Sequence, residues 1–207
     1  MRHPLQLAIV SLSCALALTA PALAGDPKSA CPAYPFPHAR RTITVDQVTA
    51  TVKKAIANAW PQLAPYDIRV VTFKSDQDYF KSETKVSTIE LNAKKRTYHV
   101  MVNEKLLADA PSDAALYAIA VHELSHINDY RQMTSVQFIA WAAKYAVESQ
   151  ATYERQTDGA PLSRKLGCGL MEYRVWLYAH VDAKTLALKR KNYFTPEEIA
   201  DWMAKHK

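Results

Sequence analysis

The sequence predicts an α+β fold, mostly helical, with a small antiparallel β-sheet. Two observations carry this. Long stretches with helix-start signals occupy the middle and the C-terminal half, while β-branched runs are short and confined to residues 68–103. The chain of 207 residues, less an N-terminal leader, is long enough for one domain with a proper core and too short for two comfortable ones. We therefore divide it into a leader (1–24), a Pro-rich tail (25–43) and a single domain (44–207).

The leader reads as a secretory signal peptide. Met1-Arg2-His3 is a basic start, residues 5–18 are an apolar run, and Ala22-Leu23-Ala24 offers a cleavage site. The run is too short for a membrane span. A lipoprotein site at Cys14 is the less favoured alternative, because Cys14 lies inside the apolar run. No later stretch reaches membrane-spanning length, so the mature form is expected to be exported, periplasmic or extracellular. Export makes Cys31 and Cys168 candidates for a disulfide, since two cysteines in an oxidising compartment most often pair. The rival reading makes Cys31 a thiolate that plugs a metal site.

The elements follow in order. Thr44 and Gln47 form a capping-box pattern, and the helix they start should run to Trp60, where Pro61 stops it. Residues 68–73 read as a strand and 74–87 as a polar loop. Residues 88–92 and 97–103 read as a hairpin turning at 93–96, its second strand possessing an edge that an extended peptide could join. Ser112 caps a helix that is apolar almost all round and hence buried. A further helix should start near Thr134 and run toward Thr157, ended or kinked by Gly159 and Pro161. One long helix is expected over 164–190. Thr195-Pro196-Glu197-Glu198 opens the last.

Chemistry enters at His122-Glu123-Leu124-Ser125-His126. On a helix the two imidazoles share a face and can grip one Zn²⁺, with Glu123 beside them as a base for water. A catalytic zinc takes a third protein ligand and keeps an open position. Glu154 on the following helix fits, because Asp158 lies on the same face four residues later and can hold a ligand imidazole in orientation. Glu148 is the rival ligand and has Thr152 at that supporting position. Groups to stabilise an oxyanion are sought among Tyr153, Tyr173, Arg174 and His180, with Tyr173 and Arg174 preferred. His38, His99 and His206 read as incidental, and the four tryptophans as packing residues.

Together, His122-Glu123-Leu124-Ser125-His126 and Glu154-Arg155-Gln156-Thr157-Asp158 resemble the motifs of the gluzincin metallopeptidases, nearest the branch containing the CAAX-prenyl-endopeptidase-like enzymes. Ser125 stands where that branch usually has Gly, Thr157 where it has Ala, and Gly159 and Pro161 where its helix continues. The resemblance covers about a fifth of the chain. It implies a zincin-like catalytic domain and a zinc-dependent hydrolase acting on peptide or protein substrates. It does not imply prenylated ones, since the membrane spans of those enzymes are missing. Two other readings stand beside it: a non-proteolytic zinc-binding envelope protein, and an amide hydrolase acting on cell-wall cross-links. The net charge of +6 is spread over scattered clusters, compatible with solvated faces or with attraction to an anionic envelope surface. No nucleic-acid motif is present.

Overall fold

The computed structural model describes residues 25–147 and 150–206. The leader with its cleavage site and Cys14 lies outside the described residues, as does Glu148. Nine α-helices and three strands are described: α1 Pro27–Ala30, α2 Val45–Ala59, β1 Asp67–Phe73, β2 Phe80–Thr84, β3 Thr97–Asn103, α3 Glu104–Ala108, α4 Asp113–Tyr130, α5 Ser135–Val147, α6 Gln150–Ser163, α7 Gly167–Ala179, α8 Ala183–Asn192 and α9 Pro196–Lys205. The fold is thus α+β and dominated by helices.

The centre is α4. Ser112 caps it by accepting from the Ala115 amide, and most of its residues from Ala115 to Ile127 are buried. Helices α2, α6 and α7 pack around it, with β2 and β3 on a further side. Close approach of α7 depends on Gly169: a Cβ there would lie 2.5 Å from the Ala114 carbonyl oxygen. The capping boxes at Thr44–Gln47 and Thr195–Glu198 form as the sequence predicts.

The sheet is mixed, not antiparallel. Its order is β1-β3-β2, with β1 parallel to β3 from Asp67↔Thr97 to Phe73↔Asn103. β2 runs antiparallel to β3, Phe80 opposite Val102 and Thr84 opposite Tyr98. Tyr98, Val100 and Val102 turn one face of β3 into the core. The segment expected as a polar loop therefore contains a strand, and residues 88–92 are not one. Arg96 explains the difference. It is only 2 % exposed and donates to the carbonyls of Leu91, Tyr130 and Met133. Residues 86–96 are drawn into turns against the end of α4, and the strand that pairs antiparallel with β3 across them is β2 instead.

Two helix boundaries also differ. Helix α6 continues through Gly159 and Pro161 to Ser163. Pro161 falls in the last turn, and the Arg164 guanidinium finishes the end by bonding the carbonyls of Ala160 and Ala59. The helix expected over 164–190 is two, because Asp182 accepts from the Thr185 amide and caps a new helix.

Cys31 and Cys168 form a disulfide across a sequence separation of 137 residues. This overturns the alternative in which Cys31 plugs a metal site. Around the bond, Tyr34 and Phe36 of the tail pack with Leu162, Leu170, Met171 and Ile199. Replacing both cysteines by serine is expected to lower stability by about 2–4 kcal/mol. Urea denaturation of the double variant against the oxidised protein measures this, and matching midpoints would refute it. Among the described residues, no helix is long and apolar enough to cross a membrane.

Candidate metal centre

Helical geometry sets the site. His122 and His126 stand one turn apart on buried α4, and Glu154 meets them from α6. The Nε2 atoms of His122 and His126 lie 3.3 and 3.4 Å from Glu154 Oε2. All three residues are buried, and their ligand atoms fall within 4.8 Å of one another. Glu154 Oε2 has no hydrogen-bond partner there. Leaving a buried carboxylate oxygen so costs free energy, unless a cation is what satisfies it. Two imidazoles and one carboxylate suit a divalent transition metal, so the residues present fit a metal ion.

Asp158 sits behind the three residues, against Nδ1 of His122. It is fully buried, with Oδ1 2.9 Å from His122 Nδ1 in a charge contact that misses hydrogen-bond alignment. The same oxygen accepts from Arg174 Nη2 at 2.6 Å, and Oδ2 accepts from the Phe194 amide at 2.9 Å. Burial pushes the Asp158 pKa up, but the Arg174 charge and His122 outweigh it and hold it below its ordinary value. Burial likewise pulls His122 down, yet Asp158 and Glu154 raise it to about 9. Glu154, raised by burial, is held well below the usual carboxylate range by the two histidines. In the metal-free chain the imidazole protons and a cation thus compete for one place.

Glu123 is 4 % exposed, and its Oε2 is buried without a partner. Burial raises its pKa, partly offset by His126 and His122. A carboxylate shifted toward neutrality is better matched to taking up and returning a proton.

A cleft of about 330 Å³ opens over Glu123, His126 and Glu154. It is bordered by Phe80, Lys81 and Ser82 of β2 on one side, and by Lys189, Asn192 and Tyr193 on another. The Ser82 hydroxyl donates to the Glu123 carbonyl, tying β2 to α4. Since β3 is the central strand, it lacks the open edge the sequence suggested; the outer edge at the cleft belongs to β2.

Comparison with protein-family models, with curated proteins and with solved structures finds no match.

The four oxyanion candidates separate. Arg174 is 1 % exposed and committed to Asp158, so its place is behind His122. Tyr173 is buried and lines, with Arg174, a small inner cavity that also touches His122 and Glu123. The Tyr153 hydroxyl donates to Asp129 Oδ2 at 3.0 Å, while its ring packs 5.2 Å from that of His126. His180 belongs to another cluster, with Asp109 and His38. Three tyrosines that the sequence does not single out border the cleft instead: Tyr130, Tyr145 and Tyr193. Tyr145 donates its hydroxyl to Glu154 Oε1, and the Tyr193 ring lies 6.0 Å from that of His122. Tyr145 sits nine residues before Glu154, a spacing that carries no helix-face signal. Tyr193 lies just past α8, and nothing local marks it. Burial raises the pKa of Tyr145 and Tyr193, so each keeps its phenolic proton.

Proposed function

We propose that this protein is an exported metal-dependent hydrolase of peptide bonds, with zinc as its metal, and that its resemblance to the gluzincins reflects a shared mechanism. The observation carrying this is Glu123: a buried carboxylate with an unpartnered oxygen, beside three converging metal-ligand atoms, at the floor of an open cleft. A site that only holds an ion has no use for such a base.

His122, His126 and Glu154 would hold the cation, with Asp158 orienting His122 from behind. Bound there, it supplies Lewis-acid chemistry, making water more acidic and the scissile carbonyl more electrophilic. Glu123 takes one proton from the attacking water as the C–O bond forms. It returns that proton to the amine nitrogen as the C–N bond breaks. Tyr193, which borders the cleft, would donate to the carbonyl oxygen as charge gathers on it. The outer edge of β2 can pair with an extended substrate backbone, which favours a peptide over a compact small molecule. The Cys31–Cys168 disulfide supports an oxidising compartment.

The test is incubation of the zinc-loaded protein with a diverse peptide library, products being read by mass spectrometry, beside Glu123→Ala and with purified cell-wall material in parallel. Peptide cleavage that vanishes in the variant supports the proposal. Cleavage of wall cross-links alone would replace it with the amide-hydrolase reading. No cleavage of either would sink it. Tyr193→Phe is expected to lower kcat about 10²–10³-fold with little change in KM. Steady-state kinetics on a cleaved peptide check this, and an unchanged kcat removes Tyr193 from the mechanism.

A further inference from the structure

A second cluster lies apart from the cleft. His38 from the tail, Asp109 at the end of α3 and His180 at the end of α7 bring their ligand atoms within 4.8 Å of one another. His38 Nε2 is 2.8 Å from Asp109 Oδ1, and His180 Nε2 is 3.2 Å from Asp109 Oδ2.

The decisive contact is on the far side of His180. Its Nδ1 is 2.7 Å from the Trp176 carbonyl oxygen. A carbonyl can only accept, so Nδ1 carries the proton. In a neutral imidazole Nε2 then holds a lone pair, aimed at a carboxylate oxygen. Two acceptors face each other at 3.2 Å, and the pair is completed by either a second proton or a metal cation. The backing carbonyl is the arrangement that fixes the tautomer of metal-bound histidines.

The rest of the setting also suits a cation. His180 is held by stacking on Trp176, ring centroids 4.3 Å apart, and by the Tyr79 hydroxyl, which donates to its carbonyl. It follows the last turn of α7, where the helix dipole is negative. Ligands at about 2.0–2.1 Å around a tetrahedral zinc stand roughly 3.3 Å apart, near the spacings here. A surface hollow of about 230 Å³ is bordered by both histidines. Arg40 Nε lies 3.5 Å from Asp109 Oδ2 and opposes a cation, but its side chain is 83 % exposed and free to turn outward.

We propose that His38, Asp109 and His180 form a second divalent-cation site, of a class that takes zinc, clamping the tail to α3 and α7. His38 binds through Nε2 once its proton has moved to the exposed Nδ1. This site stands independently of the hydrolase reading: its ligands come from other elements, and its failure would leave the cleft untouched.

The test is titration of the purified, oxidised protein with ZnCl₂, followed by histidine ring NMR and by native mass spectrometry. We expect the ring signals of His38 and His180 to move, and about two ions to bind each chain. Combined His38→Ala and His180→Ala replacement should reduce that to about one. In Glu154→Gln, which weakens the cleft site alone, the His38 and His180 signals should still move. Ring signals that stay still under a ~10-fold zinc excess overturn the proposal whatever the variants do. So does a His180 ring protonated on both nitrogens at pH 7.5 that keeps both protons as zinc is added. Should the double alanine variant fold poorly, Asp109→Asn provides the same stoichiometric test.

Discussion

Glu123→Gln is expected to bind metal as the wild type does and to lose hydrolysis by about 10²–10⁴-fold in kcat. The substitution keeps shape and removes the ability to take a proton. Glu123 is absent from the group that could hold a metal, which is His122, His126 and Glu154, so metal content should not change. Stability gives a second readout. Glu123 Oε2 is buried without a partner, and its carboxylate is disfavoured by burial. A neutral amide there removes a desolvated charge, so the denaturation midpoint of the metal-free variant should equal or exceed that of the wild type. Loss of metal along with activity would make Glu123 a ligand or a structural support. Wild-type turnover would remove it from the mechanism altogether.

Asp158→Ala is expected to be the most damaging single change to the scaffold, costing about 3–5 kcal/mol. Three groups lose their acceptor or counter-charge at once: Arg174 Nη2, the Phe194 amide and the His122 ring. The Arg174 cation is the severe case. It is buried, its Nε is already unpartnered, and no solvent can replace the carboxylate. With His122 free to turn, metal affinity should fall by a further 10–100-fold or so. Chemical denaturation of the metal-free proteins isolates the first effect, and zinc competition with a chelating dye the second. Asp158→Asn keeps an oxygen acceptor and should fall between alanine and wild type. An alanine variant within about 1 kcal/mol of wild type would show that Asp158 is not the hub.

Local signals were legible and most non-local ones were not. Thr44, Ser112 and Thr195 act within three residues of themselves, so their caps can be read without the fold. The convergence of Glu154 on the histidines follows from two helix faces. Nothing short-range places β3 between β1 and β2, since strand order is decided by what packs on α4. The β2 segment is also poor in the apolar alternation that marks a strand; its place rests on pairing with β3 and on Ser82 bonding to α4. Arg96 is the sharpest case. Its sequence neighbourhood of lysines suggests an exposed turn, while its partners lie 34 and 37 residues ahead. The place of Tyr193 at the cleft has no local signal for the same reason: it is set by elements remote in the chain.

The Cys31–Cys168 bond has a consequence for the unfolded chain. His122, His126, Glu154 and Asp158 all lie between its two ends, whereas Arg174 lies outside. While the bond is intact, even a fully unfolded molecule holds all four within one covalent ring. Ring closure keeps the ligand segments at a higher effective concentration toward one another than an open chain allows. An oxidised molecule that unfolds is therefore expected to bring these residues back together faster than a reduced one. Reduction and metal loss should cooperate: a chelator is far more harmful to the reduced protein than to the oxidised.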